Sequence, residues 1–186
     1  GLVSRPFNPI SVALGAEATF VARTHDLDRR HMQEMFRRAY EHPGASIVEV
    51  YQNCNVFNDG AFETITKKDV RDDMLIPLRH GEPIRFGTEG QFGVARHDGG
   101  VEVVEVAGVG LDALLVHDET RSDPSTAFAL SRLAESPDRP TPVGVFRAVD
   151  RGEYGVAMRA QTDQMAAMKG KGDLSALLHS LPTWTV

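Results

Sequence analysis

Cysteine is almost absent from this sequence: Cys54 stands alone among 186 residues. One thiol excludes an intramolecular disulfide and fits a reducing compartment, and it cannot close a structural metal site by itself. Long apolar runs are missing too. No stretch reaches the roughly 18 residues that a membrane span needs, and residues 1–6 lack the apolar core of a signal peptide. Positive charge is in deficit, with 20 Lys and Arg against 26 Asp and Glu and a net charge of −6. That balance argues against a nucleic-acid surface, which is usually basic, and suits a cytoplasmic enzyme. There is no internal repeat and no low-complexity tract. The chain does not begin with methionine, so a processed or partial product is expected.

What is present is ordinary for a globular protein, 41% hydrophobic and 25% charged, and long enough for one domain with an appendage. Asn8-Pro9 predicts a helix start, with Asn8 as N-cap and Pro9 at the first helical position, running to Ala16. A strand is expected over Thr19–Arg23. A helix capped by Asp26 or Asp28 follows to about Tyr40, with Met32, Met35, Phe36, Ala39 and Tyr40 as its buried face and Arg29, Arg30, Arg37 and Arg38 mostly on the wet side. His42-Pro43-Gly44 stops it. The run Ser46–Tyr51 reads as a buried strand covered on both faces. Strand, helix and strand within about 33 residues have the size of a right-handed βαβ crossover between parallel strands. In such folds the loops at the carboxyl ends of the strands carry the chemistry, and Cys54 lies in that loop.

Beyond residue 60 the texture changes. A polar helical stretch around Lys67–Asp73 leads into Met74–Leu78, and His80–Gly87 is a turn into a strand. The segments 91–96 and 101–106 flank His97-Asp98-Gly99-Gly100, a strong hairpin signal. Leu114–His117 and Pro142–Arg147 are further strands. Pro124–Leu133 is a helix begun by Asp123, and helices are expected over 153–168 and 173–180, joined by a Lys-Gly-Lys-Gly linker. The fold class is therefore α/β: the end of a doubly wound parallel sheet over 1–60, and a C-terminal α+β extension with a hairpin over 61–186.

Other motifs carry little. His25, His31, His42, His80, His97, His117 and His179 are scattered without metal-ligand spacing, and His117-Asp118-Glu119 reads as a strand end turning into solvent. There is no Gly-x-Ser-x-Gly elbow. Gly108-Val109-Gly110 lacks the third glycine of a dinucleotide fingerprint, and Lys169–Gly172 lacks the phosphate-loop spacing. The methionines of 153–168 predict packing or a subunit contact. Without further information Cys54 is a small buried thiol, the common fate of a lone cysteine. Asn53, Asn55, Asn58 and Asp59 either hydrogen-bond near a group held by Cys54 or, the favoured reading, shape their own loop by bonding its backbone. Phe57 is either a shield for a group held by Cys54 or a plain core residue.

The run Tyr51-Gln52-Asn53-Cys54-Asn55-Val56-Phe57-Asn58-Asp59-Gly60-Ala61-Phe62 resembles the β subunit of 2-oxoacid:ferredoxin oxidoreductases, most closely the 2-oxoglutarate type. So do Pro6–Pro9, Ala13–Ala16, Phe20–Arg23, Ile76–Leu78, His80–Gly87, Leu114–Glu119, Asp123–Ser125, Phe128–Leu133 and Pro142–Arg147, nearly the whole chain. The resemblance implies a thiamine-diphosphate-binding α/β domain. It implies oxidative decarboxylation of a 2-oxoacid to an acyl-CoA, with electrons passed through a 4Fe–4S cluster to ferredoxin. Its implied cofactors are thiamine diphosphate, Mg²⁺ and the cluster, with Cys54 matching the last cluster cysteine. Its implied partners are an α subunit, ferredoxin, coenzyme A and the 2-oxoacid, with no nucleic acid and no membrane. The family's first three cluster cysteines and its Gly-Asp-Gly…Asn motif have no counterpart here. The chain resembles the C-terminal half of such a subunit and is expected to hold neither cofactor alone. The rival readings are a non-catalytic α/β interaction module with an inert Cys54, and a cluster-free thiamine-dependent decarboxylase portion.

Overall fold

The computed structural model describes residues 7–134 and 139–181; residues 1–6, with the expectation about a signal peptide, lie outside them. In chain order the elements are α1 (Pro9–Gly15), β1 (Phe20–His25), α2 (Arg29–Glu41), β2 (Ser46–Tyr51), α3 (Glu63–Thr66), α4 (Arg71–Met74), β3 (Leu75–Leu78) and β4 (Arg85–Phe86). Then come β5 (Phe92–His97), β6 (Gly100–Glu105), α5 (Val106–Val109), α6 (Ser125–Ser131), β7 (Thr141–Ala148), α7 (Tyr154–Lys169) and α8 (Leu174–Leu178). The chain divides into two compact units, residues 1–151 and 152–186.

Local chemistry starts the helices where expected. Asn8 Oδ1 accepts the Ser11 N–H at 3.0 Å, with Pro9 opening α1. Asp28, not Asp26, caps α2, accepting the His31 N–H at 3.0 Å. That bond, ahead of partial burial acting the other way, holds the Asp28 carboxyl below its usual pKa.

The main sheet has the order β2-β1-β7-β3. β1 and β2 are parallel, joined by α2 as the expected crossover. β3 and β7 are also parallel, but β7 runs antiparallel to β1, so the sheet is mixed. The apolar run of β7 specifies burial on both faces and says nothing about direction. Strands from 1–60 and from 61–186 therefore share one sheet. A second, antiparallel sheet, β4-β5-β6, contains the predicted hairpin. Its two-residue turn is Asp98-Gly99, both at positive φ (43° and 77°), as a type I′ loop requires.

One sheet face packs against α1, α6 and the small sheet, with Ile10, Leu14, Val21, Ile76, Ile84, Val94, Leu130 and Phe146 at its centre. The other packs on α2 through Phe20, Ala22, Met35 and Val145. Gly144 allows the close approach of β7 to β3. Its φ is +119°, and a Cβ there would stand 2.8 Å from the Leu78 carbonyl oxygen.

Several expectations are corrected. β2 is an edge strand with Ile47 exposed, because only β1 pairs with it. On α2 only Met35 is buried; Phe36 and Tyr40 face solvent, since the helix is rotated so that the stripe through His31, Met35 and Arg38 meets the sheet. Leu114–His117 forms no continuous ladder. It alternates partners through bridges to Ala95 and Pro83. His117 is buried rather than turned to solvent, with Nε2 2.7 Å from the Val145 carbonyl oxygen. In the second unit, no residue of α7 or α8 is buried among the described residues, Met158, Met165 and Met168 included.

Candidate functional site

The loop after β2 is held from below by β1. The Asp26 N–H donates to the Tyr51 carbonyl at 3.0 Å, and Asp26 Oδ2 accepts the Asn53 N–H at 3.0 Å. Asp26 is thus a tether for the loop, a role invisible in the sequence because its partner lies 27 residues away. A signal was present nonetheless: two aspartates stood before α2, and only one cap was needed. Beneath the loop start, Tyr51 stacks on Phe62 with ring centroids 4.3 Å apart. The buried Arg23 guanidinium sits 5.1 Å from the Tyr51 ring centre and pairs with Glu49 at 2.6 Å.

Within the loop Asn53 is the hub. Its Nδ2 donates to Asn55 Oδ1 and Asp59 Oδ1, each at 2.9 Å, and its Oδ1 accepts the Gly60 N–H at 2.8 Å. The Asn58 N–H donates to the Cys54 carbonyl at 2.9 Å, closing a tight turn. Asn53, Asn55 and Asp59 shape the loop as expected.

The turn wraps backbone amides around a half-buried thiol. The N–H groups of Phe57, then Val56, and to a lesser degree Asn58, hold the Cys54 pKa below its ordinary value; desolvation acts the other way. A lowered pKa raises the share of thiolate at any given pH, and the thiolate is the form that ligates metals and attacks electrophiles. Val56 and Phe57 stand 80% and 90% exposed beside it, which removes the reading of Phe57 as a core residue.

Whether this chain alone suits an iron–sulfur cluster is a question of ligand number. Among the described residues no group of three or more His, Cys, Asp or Glu is placed to hold a metal ion. A 4Fe–4S cluster takes four thiolates, and this sequence with its single cysteine can supply one of them.

No family model matches the chain. Over 188 aligned positions, its entire length, it is 45% identical to the 2-oxoglutarate oxidoreductase subunit KorB of Mycobacterium tuberculosis, of which it covers 50%. The chain is similar to the β-subunit family of the 2-oxoacid:ferredoxin oxidoreductases. The family's 2-oxoacid:ferredoxin oxidoreductase β subunit from Saccharolobus solfataricus shares 35% identity over 57 residues, 31% of this chain and 19% of that protein. Among solved structures, a 2-oxoglutarate:ferredoxin oxidoreductase from Magnetococcus marinus, with 2-oxoglutarate, coenzyme A and succinyl-CoA bound, aligns over 98% of this chain and 47% of its own. The TM-score is 0.58 at 18% identity, a likeness of fold alone. The chain spans about half the length of the relative that matches it end to end. No helix among the described residues is long and apolar enough to cross a membrane.

Proposed function

We propose that this chain forms part of the β subunit of a 2-oxoglutarate:ferredoxin oxidoreductase. The enzyme oxidatively decarboxylates a 2-oxoacid, joins the acyl group to coenzyme A, releases CO₂ and delivers the electron pair to ferredoxin. The observation that carries the reading is kinship along the full chain together with an amide-wrapped Cys54 at the carboxyl edge of β2. In this reading residues 1–60 end the thiamine-diphosphate-binding domain, and residues 61–186 are the extension that meets the α subunit.

When bound, thiamine diphosphate with Mg²⁺ supplies carbanion stabilisation and a 4Fe–4S cluster supplies one-electron transfer. Cys54 Sγ would hold one cluster iron. The amides of Phe57, Val56 and Asn58 around that sulfur would tune its electron density, a known lever on cluster potential. Phe57 and Val56, exposed here, would exclude water from the same side. The diphosphate and Mg²⁺ would be held by residues other than those of this sequence, which include no Gly-Asp-Gly. A cytoplasmic setting keeps the free thiol reduced.

The test is anaerobic reduction of ferredoxin by the complete complex containing this chain, driven by 2-oxoglutarate and coenzyme A. Reduction that requires both substrates and is lost in Cys54→Ser supports the reading. Undiminished reduction by Cys54→Ser contradicts it.

A further inference from the structure

The sheet face beneath α2 is only partly covered. α2 packs over Phe20, Ala22 and Val145. Farther along, Leu75, Pro77 and Val143 border a cavity of about 580 Å³ instead of a helix. Its volume falls in the range of small-molecule sites.

The cavity wall is cationic. Arg38, Arg71, Arg79 and Arg85 line it, against the carboxylates of Asp28 and Asp72 alone, in a chain of net charge −6. Asp28 is already engaged as the cap of α2. Two of the guanidinium groups are likewise committed: Arg38 to Glu119 at 2.6 Å, and Arg85 to the backbone carbonyls of Glu89 and Gly90. Arg71 and Arg79 make looser ion pairs, with Asp72 at 3.5 Å and Glu82 at 3.6 Å, and both side chains are about half exposed or more, so an incoming anion can compete for them.

His25, the last residue of β1, lines the same cavity. It is 5% exposed, and its Nδ1 has no hydrogen-bond partner. Buried polar side-chain atoms are nearly always paired, so such an orphan points to a missing partner. Burial pushes the His25 pKa down, which leaves a neutral ring able to donate one N–H. Guanidinium forks and an N–H donor are the groups that recognise carboxylate and phosphate oxygens.

We infer that this cavity is an oxyanion site, taking the carboxylate or phosphate of a small molecule, with His25 as its buried donor and Arg71 and Arg79 closing on the charge. With 2-oxoglutarate as the ligand the inference rests on the proposed function, with phosphate it goes beyond it, and in either case it needs neither Cys54 nor a cofactor.

The test is calorimetric titration of the complete complex with inorganic phosphate and, separately, with 2-oxoglutarate. The expected result is binding of one of them, weakened tenfold or more in the Arg71→Gln, Arg79→Gln double variant. Both positions are exposed and loosely paired, so folding is retained. The ligand that shows the loss names the source of the oxyanion. Binding that is equal in wild type and double variant, or no binding of either, overturns the site. His25→Leu removes an unpaired buried atom, which proteins tolerate or prefer; affinity lost at an undiminished unfolding temperature supports the imidazole as donor, and unchanged affinity removes it. Iron and sulfide content, measured on the same preparations, reports on Cys54 alone, so failure of this site and failure of the cluster reading are separate results.

Discussion

Glu49→Gln is the perturbation that most directly tests how the Cys54 loop is supported. Glu49 Oε2 accepts from Arg23 Nε at 2.6 Å, with the two side chains 15% and 1% exposed. Neutralising one partner of a buried pair leaves the other charge uncompensated, which costs roughly 3–5 kcal/mol. Arg23 keeps the Pro142 carbonyl at 3.2 Å and the Tyr51 and Phe146 rings at 5.1 and 5.4 Å. Glu49 also retains some water, so the lower end applies, about 3 kcal/mol. For a protein of this size that lowers the unfolding midpoint by roughly 6–12 °C. Scanning calorimetry of the complex carrying this chain reads the shift. Replacing both partners by apolar side chains, Arg23→Met with Glu49→Leu, is expected to be milder than Glu49→Gln alone, because no buried charge remains. A shift under about 3 °C for Glu49→Gln, or a double variant worse than the single one, refutes the argument.

Two further predictions concern the sheet and its histidines. Gly144→Ala places a Cβ against the Leu78 carbonyl at a φ of +119° and is expected to cost on the order of 1–3 kcal/mol; an unfolding midpoint equal to wild type contradicts the close β3–β7 approach. Burial holds His25, His31 and His117 below the ordinary histidine value of 6.5. The unfolded chain therefore binds protons near 6.5 that the folded chain refuses. Stability is complete above that value and declines as pH falls below it, through the depressed folded values. Thermal midpoints measured from about pH 7.5 down to about pH 5.5 should fall; a flat or rising profile would contradict the burial of these rings.

The legible parts of the sequence were those decided by neighbours along the chain. Asn8 and Asp28 cap helices through residues three positions away, and Asp98-Gly99 imposes its turn on the two strands it joins. The β1–α2–β2 crossover followed from spacing alone. Long-range outcomes were hidden. The antiparallel placement of β7 beside β1 depends on how the chain returns after α6, not on the residues of β7. Arg23 and Arg147 sit inside strands yet are 1% exposed, because Glu49 in one case and Glu17, Ala18 and Ser122 in the other meet their guanidinium groups from distant segments. The face of α2 was misjudged at Phe36 and Tyr40 for the same reason: helical spacing gives a stripe, and the sheet selects which edge of it is buried. For the site, Cys54 and its asparagines were readable as a loop, whereas the Asp26 tether and the amide wrapping of the thiol emerge only in three dimensions.

Iron and acid-labile sulfide, with the visible spectrum, measured on the anaerobically purified native complex containing this chain, test the central claim most directly. The account predicts about four irons per copy of a 4Fe–4S site, lost or converted when Cys54 is changed to serine. A complex without iron, or one whose iron and spectrum are untouched by Cys54→Ser, would contradict it.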